Sequence, residues 1–395
     1  MPSTTNNSMR PLPLLIILMV LDHIAFSGSR ISVTLYALYQ GESALTVGTL
    51  VAMYALLPAF FSVAAGRWID RIGVVRPMQL GSIAVGVGVV LPFLFTGVAV
   101  LYVTCVIVGL AFMLVNVAAY HAVGALSRPE DRAVNFSYVA LGFSTSAFIA
   151  PILAGVGIDS FGHQATFALL AAFTLLPIAV LSFKLLPMPT PSSKPEGSET
   201  GHILDLLRDP QLRRLYITMA ILTVAWDVYA FAIPVYGSGI GLSASEIGLV
   251  MASFAAATFV VRLAMPFCMQ HIEPWTLLMG ALMVAGLSFF LLPFAGNVAM
   301  MMVLMFVMGL GLGSPQPMVL TLLHESAPEG RAGEALGLRT TLINGSQTVM
   351  PLIFGAVGAA LGMTPVFWTI STALVFGSFY ARRARRLVKE PTAGD

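Results

Sequence analysis

Gly66-Arg67-Trp68-Ile69-Asp70-Arg71-Ile72-Gly73 sets two arginines and an aspartate between a pair of glycines. An apolar run over residues 45–65 precedes this octet, and another over 77–96 follows it after Arg76. Each run has about the 20 residues needed to cross the hydrocarbon core of a bilayer. The octet therefore reads as a tight connection between two membrane crossings, closing through Gly66 and Gly73, where the missing side chains let the backbone turn sharply.

The same pattern extends over the whole chain. Hydrophobic residues make up 57% of the 395 and charged residues 10%, with a mean hydropathy of +0.89. A water-soluble fold of this composition would lack the polar surface to cover its core. Apolar runs fall near residues 12–38, 45–65, 77–96, 99–126, 134–158, 164–186, 212–236, 244–269, 274–296, 298–324, 334–361 and 364–381. The expected fold is an all-α membrane protein with twelve transmembrane helices.

Charge gives the sidedness. With the N-terminus in the cytoplasm, Arg10, Arg67, Arg71, Arg76, Arg128, Arg132, Lys184, Lys194, Arg208, Arg213, Arg214, Arg331 and the tail residues Arg382, Arg383, Arg385, Arg386 and Lys389 all fall inside, as the positive-inside rule requires. The opposite loops hold acids such as Glu42, Asp159 and Glu246. Both termini are expected in the cytoplasm. The first run, from Pro11 to about Leu38, is too long for a cleaved signal and contains Asp22 and Arg30, so it reads as a retained helix.

Residues 187–211 interrupt the apolar pattern at the midpoint with Pro187, Pro189, Pro191 and Pro195, then Ile203, Leu204, Leu206 and Leu207 beside Arg208. This reads as a cytoplasmic linker ending in an interfacial helix. On either side the chain repeats at an offset of about 200 residues. Tyr36 matches Tyr236 and Gly48 matches Gly248. Pro129-Glu130-Asp131-Arg132-Ala133 echoes Pro328-Glu329-Gly330-Arg331-Ala332, and Pro151 with Gly155 matches Pro351 with Gly355. The expected organisation is two pseudo-symmetric six-helix bundles, residues 1–186 and 212–395, joined by the linker 187–211, with the repeats parallel about an axis normal to the membrane.

Several classes find no support. Cys105 and Cys268 sit in apolar runs without metal-ligand or disulfide spacing. No phosphate-binding loop, metal cluster or nucleophile placed beside a base is present, so neither an enzyme nor a metal or other cofactor is expected, and nothing suggests nucleic-acid binding.

The octet at 66–73 resembles the G-x-x-x-D-R-x-G signature of the major facilitator superfamily, with Val74 and Val75 where that family commonly has basic residues. The resemblance implies that Gly66, Asp70, Arg71 and Gly73 form a gating motif, in which Asp70 meets the start of helix 11 and holds the cytoplasmic gate. Helix 5, with Ser137, Ser146, Ala150-Pro151 and Ala154-Gly155, is similar to the antiporter-associated motif of the same family. There Ser146, Ala150, Pro151 and Gly155 would supply small residues for close packing against helix 8 and a bend.

Asp22, Arg30, Asp227 and Arg262 lie within expected spans, where a lipid-facing charge costs on the order of 3 kcal/mol. They are expected to face the cavity or one another, with Asp227 toward Arg30 and Arg262 toward Asp22. A carboxylate carries protons when burial raises its pKa and a movable cation or substrate lowers it again, so these four are the candidate proton-coupling residues, with Asp22 beside His23 the leading acid. His23 and His121 are candidates for titration. Glu334, Arg339, His324 and Glu325 read as gate or interface groups.

The family's use of helices 1, 4, 7 and 10 as the path implies Phe26, Tyr36, Asn116, Tyr120, Trp226, Tyr229 and Gln316 as substrate-binding candidates. Their aromatic character suits an amphipathic organic solute. The resemblance thus implies proton-coupled efflux of a small organic or drug-like compound by alternating access, in a bacterial cytoplasmic membrane. Proton-coupled uptake of an organic acid, with Arg30 or Arg262 on its carboxylate, is the alternative, followed by a non-transporting receptor. The expected partners are the organic substrate, protons and the lipid bilayer, and the chain is expected to act as a monomer.

Overall fold

The structure is a computed structural model that describes residues 11–128, 131–186, 208–268, 272–315, 319, 322–323 and 332–389. Among these residues twelve α-helices occur, with a short 3₁₀ turn at Leu292–Phe294, and no strand. The helices are α1 (Pro11–Tyr39), α2 (Ala44–Ile72), α3 (Val75–Leu94), α4 (Val98–Leu126), α5 (Arg132–Ala172), α6 (Leu175–Ser182), α7 (Pro210–Gly239), α8 (Ala244–Cys268), α9 (Pro274–Leu291), α10 (Val298–Gly313), α11 (Ala332–Leu361) and α12 (Met363–Lys389). Nine helices among the described residues are long and apolar enough to cross a membrane. One of them, spanning Val134–Ser182, is broken at Gly162, whose φ of 82° and ψ of 167° are not helical, so that stretch consists of separate helical segments. An all-helical form follows from the solvent, because lipid offers no partner to a backbone amide and each helix bonds its own.

The internal repeat is written into the turns. Gly41 and Gly241 both adopt positive φ, 83° and 82°, as do Gly162 and Gly362, 82° and 79°. After α1 the amide of Glu42 donates to Ala37 O and that of Gly41 to Leu38 O. After α7 the amide of Leu242 donates to Gly237 O and that of Gly241 to Ser238 O. These are paired helix-terminating bonds at a left-handed residue, which glycine accepts without a Cβ clash. Ser43 then caps α2 by accepting from the Thr46 amide. Ser243 and Glu246 cap α8 reciprocally, side chain to amide in both directions, and satisfy donors that a helix start leaves open.

One sequence expectation is corrected here. Gly66 is not in a turn but lies within α2, which runs to Ile72. Gly73 alone of the two adopts positive φ, at 82°, its amide donating to Ile69 O. Nothing in Arg67–Ile72 breaks a helix, and charged side chains are accommodated once a helix leaves the apolar layer, so the helix continues through the octet. The interfacial segment 203–207, Gln316, His324, Glu325 and the side chain of Glu334 lie outside the described residues.

The chain divides into two compact units, Met1–Ser32 with Phe60–Lys194, and Val33–Ala59 with Pro195–Asp395. In the first, α3 packs on α4, α5 and α6. Leu15, Leu18, Ile69 and Met78 share a buried cluster there with Ala118, Ala119 and Ala122, whose short side chains let neighbouring helices approach. In the second, α8 packs on α10, α9 on α10 and α12, and α7 on α11 and α12. The C-terminal end of α1 and the N-terminal part of α2, Val33–Ala59, belong to this second unit. A Cβ on Gly48 would stand 2.2 Å from Pro351 O, and one on Gly355 would stand 2.7 Å from Ala44 O, so α2 and α11 touch backbone to backbone. Large apolar side chains such as Phe60, Val103, Leu287, Val303 and Phe376 remain exposed, as the lipid-facing side of a membrane protein requires.

Candidate functional site

Two polar centres stand out, one in each unit. In the first, Asp22 on α1 is 1% exposed and accepts a hydrogen bond at Oδ2 from Ser82 Oγ on α3, 2.6 Å away. Its other oxygen, Oδ1, is buried with no hydrogen-bond partner among the described residues. The carboxylate is therefore turned toward α3 and held by a hydroxyl, not by an arginine. Burying an ionised carboxylate with half of its acceptor capacity unused is costly, which marks the position as chemically unusual.

The next residue, His23, pairs through Nδ1 with Ser146 Oγ on α5. Ser146 also donates to Phe143 O at 2.9 Å. A hydroxyl has one proton, so His23 Nδ1–H is the donor of the bond to Ser146. The imidazole sits among aromatic rings, with centroid separations of 5.9 Å to Phe26, 5.4 Å to Phe112 and 4.8 Å to Phe143. Phe26 stacks on Phe112 at 4.1 Å, and the Arg30 guanidinium carbon lies 5.9 Å from the Phe26 ring centre, within range of a cation–π attraction. Of the α4 candidates, Asn116 has a buried Oδ1 without a hydrogen-bond partner among the described residues. Tyr120 is 39% exposed and tilts over Phe136 and Phe143.

In the second unit a cavity of about 280 Å³ opens between α7, α8, α11 and the end of α10. Thr223, Trp226 and Asp227 come from α7, Arg262 from α8, and Arg339, Ile343 and Gln347 from α11. Asp227 is 8% exposed, and its Oδ2 accepts from Ser346 Oγ at 2.5 Å. Sequence reasoning directs Arg262 toward Asp22 and treats Arg339 as a gate group. The cavity instead gathers both arginines with Asp227. Arg339 is half-buried, and its Nε has no hydrogen-bond partner among the described residues.

The remaining candidates are distributed by packing. Trp226 lines the cavity, braced edge-on by Phe254 at 5.0 Å. Tyr229 stacks on Phe254 at 3.7 Å and donates its hydroxyl to Met251 O at 3.0 Å, which turns it into the α7–α8 interface. Tyr36 is buried in the second unit, its ring 6.5 Å from that of Tyr39.

At the octet, Asp70 is 61% exposed and lies 3.4 Å from His121 Nδ1 on α4, while Arg71 is exposed. On α5, Ala150, Pro151, Ala154 and Gly155 form a buried stripe of compact residues one turn apart, and Ser146 continues it.

Sequence reasoning missed Ser82, Ser346 and Gln347. A signal existed for Ser346, which occupies the repeat position of Ser146. Ser82, a lone serine in an apolar run, carried none.

Known proteins resemble the chain throughout. It is 24% identical over 254 residues to the multidrug resistance protein MdtG of Citrobacter koseri and 22% identical over 257 residues to that of Escherichia coli O9:H4. The first alignment covers 63% of this chain and the second 64%, and each spans 63% of the relative's length. Among solved structures, a bacterial homolog of the human lysosomal transporter Spinster superposes with a TM-score of 0.80 at 14% identity over the full length of both chains. The peptide transporter POT in complex with sulfate does so with a TM-score of 0.77 at 17% identity, covering 98% of this chain and 97% of its own. These likenesses show a common fold. The family model described as Major Facilitator Superfamily matches residues 15–347, and the chain belongs to that superfamily.

Proposed function

We propose that the protein is a secondary transporter that exports a small organic compound in exchange for protons by alternating access, with both termini in the cytoplasm. The observation that carries the reading is the cavity of the second unit, where Asp227, Arg262 and Arg339 meet apolar walls and Trp226 in one space. Charged groups on membrane-crossing helices are costly and mark substrate or ion pathways, and a largely apolar cavity with few polar groups suits an organic solute. Relatives named multidrug resistance proteins support export as the direction.

In this reading Asp22 is the proton carrier. It is a buried acid outside the cavity that takes a hydroxyl from Ser82 and has one oxygen without a hydrogen-bond partner among the described residues. The neighbouring pair His23–Ser146 links α1 to α5, so a change at Asp22 is felt by the helix bearing Ala150, Pro151 and Gly155. Arg30 sits two turns along the same helix. The octet with Asp70 acts at the cytoplasmic gate.

Purified protein in liposomes with a trapped pH dye tests the proposal. Addition of substrate should drive proton movement in the opposite direction, and this should be lost in Asp22→Asn. Protons moving in the same direction as substrate would replace export by uptake, and binding without flux would make the chain a receptor. The uptake reading has one observation in its favour: two arginines on the cavity suit the carboxylate of an organic acid.

A further inference from the structure

Among the described residues that line it, the cavity between α7, α8, α10 and α11 is not electrically balanced. One carboxylate, Asp227, shares it with two guanidinium groups, Arg262 and Arg339. With Asp227 ionised the site keeps one formal positive charge, and with Asp227 protonated it keeps two. Asp227 is already engaged, since its Oδ2 takes the Ser346 hydroxyl. Arg339 takes part in no ion pair among the described residues, and its Nε is buried without a hydrogen-bond partner. A guanidinium cannot shed its charge, and it presents a planar fork of donors matched to a two-oxygen anion.

We infer that the substrate bears an anionic head, a carboxylate, phosphonate or sulfonate, bound by Arg339 together with Arg262, and an apolar body lying against Trp226. The inference rests on reading this cavity as the substrate site and holds for either direction of transport. A lipophilic cation would meet net positive charge in the same space, and a neutral solute would leave the Arg339 fork unpaired. A cavity of about 280 Å³ has room for a single-ring or double-ring body beside such a head. Bidentate, charge-assisted pairing supplies orientation as well as affinity. Asp227 then has a defined part: it opposes the anion electrostatically, so its neutralisation strengthens anion binding.

The test is calorimetric titration of the full chain in nanodiscs with aromatic carboxylates and phosphonates, each beside its neutral amide isostere and an aromatic quaternary ammonium of similar size. The expected result is saturable binding of at least one anion, tenfold or more tighter than its amide. Arg339→Gln and Arg262→Gln should each lose tenfold or more, and Arg339→Lys should recover part of the loss. Asp227→Asn should bind the same anion severalfold more tightly at neutral pH, a gain that misfolding cannot produce. Anions binding no better than their amides, or arginine variants with unchanged affinity, would overturn the inference. The same panel in proteoliposomes separates the two levels of the reading. Flux of amides or cations without anions defeats the anionic substrate and leaves the transporter standing, whereas binding of anions without flux of any compound defeats the transporter.

Discussion

Ser346 on α11 donates a hydrogen bond to Asp227 on α7, and its repeat mate Ser146 on α5 bonds His23 on α1. The two halves thus use one device, a hydroxyl from the fifth helix of the repeat meeting a titratable side chain on the first helix. The partners differ: an imidazole in one half, a carboxylate in the other, displaced by one helical turn. A serine supplies both roles because its hydroxyl donates to a carboxylate and accepts from an imidazole N–H.

Ser346→Ala removes the donor to a nearly buried carboxylate, an interaction worth about 1.5–3 kcal/mol when the acceptor is charged. The variant should melt at a lower temperature in detergent. The double variant Ser346→Ala with Asp227→Asn should be little worse than Asp227→Asn alone. Additive losses in such a cycle would mean that the bond contributes nothing to stability.

Asp22→Asn should separate exchange from coupling. Substrate counterflow with no proton gradient should continue at close to the original rate, while gradient-driven accumulation should vanish. Ser82→Ala keeps the acid and removes the hydroxyl that bonds it, so it should retain coupling with an altered pH dependence. Loss of counterflow and accumulation together in Asp22→Asn would instead make Asp22 a structural residue.

Gly48 and Gly66 should behave oppositely. A Cβ at Gly48 would lie 2.2 Å from the Pro351 carbonyl oxygen, whereas one at Gly66 would have nothing within 4 Å. Gly48→Leu must therefore push α2 from α11. Transport should be lost, and a cysteine placed near Gly355 should become reactive to a water-soluble maleimide. Gly66→Ala should fold normally and gain up to about 1 kcal/mol of helix stability, with the transport rate showing whether the gating motif needs glycine there.

The Asp70–His121 pair is exposed on both sides, so its attraction is screened and worth at most about 1 kcal/mol. His121→Ala should therefore leave the transport rate close to the original, whereas Asp70→Asn should lower it if Asp70 also serves the gate. Initial rates of the two variants in proteoliposomes distinguish these outcomes.

The octet at 66–73 illustrates how far local sequence carries. Its pattern pointed to the family, which the family match bears out. Its two glycines did not reveal which of them turns. Gly73 takes positive φ and Gly66 is helical, because a helix end is set by the bonds available to the following residues and not by the presence of glycine alone.

The sequence by itself determined the helical crossings, their expected sidedness and the repeat. The first two depend on the transfer of segments and charges between water and lipid, a free energy summed along the chain and indifferent to neighbours, and the repeat is read from matched residues at a fixed offset. Only the tertiary structure decided that Asp22 meets Ser82, that Asp227 meets Ser346, that Arg262 and Arg339 share a cavity with Asp227, and that Tyr229 is turned away into a helix interface. Those outcomes depend on the rotation of each helix about its own axis. In a bilayer the lipid-facing and core-facing sides of a helix are equally apolar, so hydropathy carries almost no record of that rotation, and packing between helices sets it.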